Sequence, residues 1–275
     1  MSFKVPFYII FLFKKLGIYE FSKKLFKKYF PYSGILKNDI ESILFYRSNI
    51  IKNGLFLDIG SFKGNKIDLF LNLNKKLNII GIEPFHNYFE KLVSKYDNFS
   101  NVKIYNYAIS SKNNKKSKFF YNKKNVDKEA FSLLKNSRLN KFIYVKTLKL
   151  DEFLNDKPKI IKIDTEGSEI DVINGSQKII KKYRPIFFIE VTNLSFRKIV
   201  QKFKKNNYLI FIYEYTFFKK DLHNNWIKSN LIQNNVFDIK IYKPEEMLFK
   251  QKKFMFNIIC FPKENKKTFE DLYLT

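Results

Sequence analysis

Cysteine and arginine are nearly missing from this chain, and each shortage narrows what it can be. The one cysteine, Cys260, cannot form an internal disulfide, so the fold is not of the kind built for an oxidising compartment. Its surroundings, FNIICF, are those of a buried structural thiol. Only four of the 52 basic residues are arginine. The forked guanidinium that reads phosphates and base edges with paired hydrogen bonds is therefore in short supply. A net charge of +26 would otherwise point to nucleic acid or an anionic membrane. Here it is carried by lysines spread along the whole chain among Asn, Ile and Phe, as an AT-rich coding sequence would produce. Charge alone names no partner, and nucleic acid is not the favoured one.

The N-terminal apolar stretch VPFYIIFLF, residues 5–13, falls well short of the about 20 residues that span a bilayer. It also lacks the basic start and the small-residue cleavage site of a signal peptide. Residues 14–30 set Leu16, Ile18, Phe21, Leu25 and Tyr29 among Lys23, Lys24, Lys27 and Lys28. Such a helix either caps the core or lies on a membrane surface. Residues 1–50 are accordingly read as a helical extension ahead of one domain over 51–275. The expected location is cytoplasmic, with peripheral contact to the inner membrane face through residues 5–30 as the alternative reading.

What is present is apolar mass, 45% of residues, enough for a substantial core. From residue 54 short apolar runs alternate with helical patterns. GLFLDIG (54–60), LNIIGIEP (77–84), NVKIYNYAIS (101–110), FIYVKTLKL (142–150), KIIKID (159–164) and PIFFIEV (185–191) read as strands. Helices are expected after residue 64 and over 87–96, 151–156, 168–182 and 195–206. YLIFIYEY (208–215) and FMFNIICF (254–261) have little helix between them, which predicts an antiparallel pair at one sheet edge. Residues 111–129, rich in lysine and asparagine, read as an exposed loop, and 216–253 as an insertion. The fold class is α/β: a Rossmann-like, doubly wound, mostly parallel seven-stranded sheet with an antiparallel edge strand.

Ligands of such sheets sit at the carboxyl ends of the strands. The first strand ends in LDIGSFKG, which supplies Asp58, Gly60 and Gly64 for a sharp turn and a close backbone approach. The second ends in GIEP and places Glu83 25 residues after Asp58, where a nucleoside site grips ribose hydroxyls. A dinucleotide site would want G-x-G-x-x-G; this chain has Phe62 at its second glycine, so a single nucleoside without pyrophosphate fits better. S-adenosylmethionine is such a ligand.

The ordered set LFLDIGSFKGN, IIGIEPFHNYFEKL, NVKIYNYAIS, LDEFL, IIKIDTEGSEIDVINGS and RPIFFIEV resembles the FkbM-type methyltransferases. The resemblance covers about residues 54–191, and FNIICFPKE also fits. It implies a Rossmann-like methyltransferase that uses S-adenosylmethionine and methylates a hydroxyl, often of a sugar or secondary metabolite. By motif position, Gly60, Ser61 and Gly64 would line the methionine end and Glu83 would hold the ribose. Phe85, Asn106 and Ala108 would lie near the adenine, and Asp164 would face the methyl group. Asp58 joins the cofactor set. The family's first motif generally reads D-V-G-A-N-x-G; Ser61 and Phe62 replace its Ala and Asn, removing a polar contact.

A sugar hydroxyl is a poor nucleophile and calls for a base or a metal. Asp164 is the first candidate base, with Glu166 and His86 as alternatives; His86 does not follow from the resemblance. Asp164 and Glu166 could also hold Mg²⁺, a reading not favoured because no further ligands are evident. Glu169 and Asp171 fall in the first turn of a helix, where negative charge is stabilising, and Ile170, Ile173 and Ile180 would turn them outward. Glu190 is either a substrate contact or a buried, hydrogen-bonded acid. The acceptor is a small molecule or glycan, with Trp226, His223 and Tyr213 as possible contacts. The other readings are a nucleic-acid methyltransferase and a non-catalytic cofactor-binding or membrane-associated scaffold.

Overall fold

The computed structural model describes residues 54–122, 131–134, 141–220, 226–229, 236–244 and 255–265. Residues 1–50 and His223 lie outside the described residues, so the helical extension and its membrane contact do too. No helix among the described residues is long and apolar enough to cross a membrane.

Strands β1 (Leu55–Ile59), β2 (Asn78–Ile82) and β3 (Val102–Tyr105) pair in parallel, joined by α1 (Asn65–Leu73) and α2 (His86–Tyr96). The chain then leaves the sheet. Strands β4 (Ala108–Ile109), β5 (Asn114–Tyr121), β6 (Phe131–Ser132) and β7 (Lys141–Leu148) form a second, four-stranded sheet. After α3 (Leu150–Phe153) the chain returns as β8 (Pro158–Ile163), on the other side of β1. Helices α4 (Glu169–Asn174) and α5 (Gln177–Lys182) lead to β9 (Ile186–Thr192), and α6 (Asn193–Lys205) to β10 (Tyr208–Lys220). Strands β11 (Trp226–Ser229) and β12 (Val236–Tyr242) pair with the outer part of β10, and β13 (Met255–Pro262) runs antiparallel between β9 and β10. The seven core strands thus follow the order β3-β2-β1-β8-β9-β13-β10, parallel except for β13. The expected antiparallel pair is β10 with β13.

Both sheet faces are covered, which is why the strands read as continuous apolar runs rather than alternating ones. Alternate residues divide between two cores. Leu57, Ile161, Phe187 and Ile258 pack with α4, α5 and α6 residues such as Ile173, Ile180 and Phe203. Phe56, Ile160, Phe188 and Ile259 pack with Ile67 and Phe70 of α1 and Leu92 of α2. Cys260 is fully buried in the first core, and burial pushes its thiol well above the usual range.

Two expectations are corrected. Residues 114–121 are a strand, not an exposed loop. In β5, Lys116 and Lys118 are exposed while Phe119 beside Lys118 is buried, and β7 repeats the alternation with exposed Phe142, Tyr144 and Lys146 against buried Val145 and Thr147. Lysines on a one-sided sheet's outer face look like loop in composition alone. The helix expected over 168–182 is two helices broken at Gly175. A Cβ there would stand 2.1 Å from the Ser110 carbonyl oxygen, so the close approach of the second sheet requires glycine.

Phe203 is fully buried, with its ring 4.9 Å from Phe187 and 5.1 Å from Tyr208. Phe203→Ala should lower the unfolding free energy by about 3–5 kcal/mol, read from urea denaturation.

Candidate active site

The chain builds outward from β1 in one direction to β3, then crosses to β8 on β1's other side. A crevice opens where strand order reverses in this way, at the carboxyl ends. Here it has a volume of about 250 Å³ and is lined by Asp58, Gly60, Ser61, Glu83, Ala108, Asp164 and Glu166, all expected from the sequence. Tyr107, Phe119 and Leu133 also line it and were not anticipated. Phe119 was missed because β5 read as loop.

Gly60 makes the first turn. Its φ is +87°, and a Cβ would stand 1.9 Å from the Asp164 carbonyl oxygen, so only glycine lets the ends of β1 and β8 approach. The Gly60 and Ser61 N–H groups both donate to Ile82 O, at 2.9 and 3.1 Å, tying the turn to β2. The Ser61 hydroxyl donates to Asp58 O at 2.9 Å. Phe62, at φ +46°, donates its N–H to Glu83 Oε2 at 2.8 Å, and Phe85 N–H donates to Oε1 at 2.8 Å. Glu83 is thus fixed by two backbone donors yet keeps acceptor capacity toward the cleft. Burial lifts its carboxyl to about 7 against the pull of these two bonds.

Four expected site residues take other positions. Gly64 (φ +78°) caps α1 and packs on Tyr96 and Leu92 outside the cleft lining. The Phe85 ring packs against Tyr88 and Tyr121 at 5.8 and 5.7 Å, behind the cleft lining but in the cluster that also holds Ala108 and Phe119 of its apolar wall. The Asn106 amide donates to the carbonyls of Glu83 and Pro84, at 2.8 and 3.0 Å, and supports the loop under Glu83. His86 starts α2 with a side chain 62% exposed and paired with Glu90, so it is no base for the cleft. Being first in a solvated helix, it has no reason to turn inward.

The far wall carries the charges. Asp58 on β1 lies directly beside Lys162 on β8, and both are buried. The Lys162 ammonium is 3.2 Å from Asp164 Oδ2. Asp164, Glu166 and Glu190 each bring a carboxylate oxygen within 4.8 Å of the others. Oxygens at that spacing suit a hard cation, but the Lys162 ammonium already neutralises Asp164. Lys162 was passed over in the sequence; the available signal was a lysine between isoleucines in a strand that must be buried on both faces. Glu166 lines the cleft at φ +52°, a conformation costly for a side chain. Glu169 holds that loop from within. Its Oε1 accepts from Gly167 N–H at 2.7 Å and from the Thr165 hydroxyl at 3.2 Å. It is buried, not turned outward, and burial raises its carboxyl. Asp171 is structural: it accepts from the hydroxyls of Ser110 and Ser111 and ties α4 to β4.

The donor set suits S-adenosylmethionine. Glu83 offers acceptors for ribose hydroxyls, Asp58 an anion for an ammonium group, and Tyr107, Ala108, Ile109 and Phe119 an apolar wall for a base.

The Methyltransferase FkbM domain family matches residues 58–210. No curated protein sequence matches the chain. Among solved structures, the chain is similar to the methyltransferase FkbM of Methylobacillus flagellatus, at 18% identity and TM-score 0.41, over 56% of this chain and 37% of that one. It is also similar to the precorrin-6y C5,15-methyltransferase of Geobacter metallireducens, at 10% identity and TM-score 0.44, over 81% and 87% of the two chains. A third is the SAM-dependent O-methyltransferase of Thermotoga maritima, at 9% identity and TM-score 0.43, over 80% and 64%. Similarity of that degree says nothing about substrate.

Burial lifts Asp58 and Glu83 to about 7, and burial with the neighbouring Asp164 lifts Glu190 to about 9. A carboxyl whose pKa in the fold exceeds its unfolded value stabilises fully below the unfolded value and loses that contribution as pH climbs through the folded one. Stability to urea should therefore fall steadily from pH 5 to 9.5. Glu190→Gln should abolish the fall above pH 7.5, where Glu190 alone carries it, and make it shallower below, where Asp58 and Glu83 still contribute.

Proposed function

The chain belongs to the FkbM methyltransferase family, and from that premise we propose that it methylates a hydroxyl oxygen of a sugar or glycan, with Asp164 receiving the hydroxyl proton. The observation that carries this reading is the carboxylate wall of the cleft, with Asp164 and Glu166 lining it and Glu190 beside them. Carboxylates accept hydrogen bonds from neutral hydroxyls and repel phosphates, by about 4 kcal/mol for two charges 4 Å apart at an effective dielectric of 20. A nucleic-acid strand would present a phosphate every few ångströms to this wall. The loop after β8 also reads Asp164-Thr165-Glu166-Gly167, without the paired prolines and aromatic residue that base-amine methyltransferases commonly carry there.

S-adenosylmethionine, when bound, supplies a methyl group activated by a positive sulfur that departs as a neutral thioether. The chain's residues do the rest. Glu83 holds the ribose through the acceptor capacity its backbone bonds leave, and Asp58 faces the ammonium end. The Gly60 turn lets backbone approach where a side chain would obstruct. Asp164, with its side chain one-third exposed and facing the cleft, takes the proton that the acceptor hydroxyl gives up as its oxygen is methylated. Orientation of this kind is worth about 7–11 kcal/mol of barrier.

Glu83→Ala should weaken S-adenosylmethionine binding at least about tenfold by calorimetry, equivalent to about 1.4 kcal/mol. Asp164→Asn should keep that affinity but lower transfer of tritiated methyl to a total cellular glycan extract by about 10²–10⁴-fold. Methyl transfer to nucleic acid and not to glycan would overturn the acceptor assignment.

A further inference from the structure

Asp58, Lys162, Asp164 and Glu190 stand together at three adjacent strand ends, those of β1, β8 and β9. Pairing sets Asp58 beside Lys162 and Lys162 beside Phe188, and the ladder ends at Ile163 and Ile189, the residues just before Asp164 and Glu190. Glu190 in turn faces Asn257 on β13. The same alternate positions one step earlier, Phe56, Ile160 and Phe188, are apolar and buried. Polar character therefore begins only where the cleft opens. Lys162 is 5% exposed, and Glu190 brings a carboxylate oxygen within 4.8 Å of one of Asp164 without lining the cleft. Three carboxylates, Asp58, Asp164 and Glu190, gather around the buried Lys162 ammonium, with Lys66 near Asp58. Ionising all three is costly in so poorly solvated a wall, which favours one of them holding a proton.

We propose that Glu190 and Lys162 are positioning residues that clamp Asp164. Glu190 carries the shared proton and donates it to one Asp164 oxygen, while the Lys162 ammonium binds Oδ2. Asp164 is thereby held in a fixed orientation toward the cleft. No bond forms or breaks in the clamp; only hydrogen bonds are made. The consequence for Asp164 as proton acceptor rests on the methyl-transfer reading above, but the clamp itself does not. The groups facing Glu190 are Asp164 and Glu166 of the loop after β8, Lys162 of β8 and the uncharged Asn257 of β13. The signs of its responses follow from these neighbours.

The clamp is tested by infrared titration of the full chain between pH 6 and 10, following the protonated-carboxyl band. The wild type should lose such a band with a midpoint near pH 9. Glu190→Gln should abolish that step, Asp164→Asn should move it to lower pH by removing the neighbouring anion, and Lys162→Met should move it higher. A step that persists in Glu190→Gln, or that fails to move in both other variants, would overturn the clamp. Tritiated-methyl transfer to the glycan extract gives the second arm. Glu190→Leu, which cannot donate, should lose about 100-fold as expected of a misplaced catalytic group, and Glu190→Gln, which can, should restore most of the transfer. Equal losses in both would remove the positioning role. No transfer by the wild type would sink the glycan reading while the titration still decides the clamp.

Discussion

One buried ammonium holds the charged end of this protein together. Lys162 sits in a strand whose neighbours on both faces are isoleucine and phenylalanine, and it is ion-paired with Asp164 and the register partner of Asp58. Burying any one of these ions alone would cost several kcal/mol. Together they offset one another, and they do so only at the strand ends where the cleft begins. Breaking the set by removing the lysine would strand two acids, which is more destabilising than losing the whole set to apolar residues.

Around that set, backbone close approaches fix the geometry. Gly60 lets β1 and β8 end within contact distance of one another, and Gly175 lets the second sheet press against the break between α4 and α5. Glu83 is oriented by two backbone N–H groups rather than by side chains, so its position follows from the turn after β1 and from the start of α2. In the proposed reading, cofactor grip and proton acceptance are therefore both set by strand ends.

Much of this was legible in the sequence because buried parallel strands announce themselves as apolar runs and their ends as the first acid or glycine. Asp58, Gly60, Glu83 and Asp164 could be placed that way. Three features could not. Strand β5 has one solvated face built of lysines, so its composition mimics a loop and hides Phe119 from view. Glu169 folds its carboxylate back onto its own loop instead of pointing outward, which periodicity along a helix does not foresee. His86 and Phe85 sit next to a site residue in sequence, but the helix start turns one side chain to solvent and the other into the aromatic cluster behind the cleft wall. Lys162 was visible and misjudged: in so lysine-rich a chain, one more lysine carries little weight until its strand is known to be buried on both sides.

The central claim is that Glu83 and Asp164 serve the two ends of one bound nucleoside. Its most direct test is a crystal structure of the full chain with S-adenosylhomocysteine, the demethylated product. The account predicts the ribose hydroxyls within hydrogen-bond distance of Glu83 and the sulfur turned toward the Asp164 side of the cleft. Product bound away from Glu83, or with its sulfur facing the opposite wall from Asp164, would contradict it.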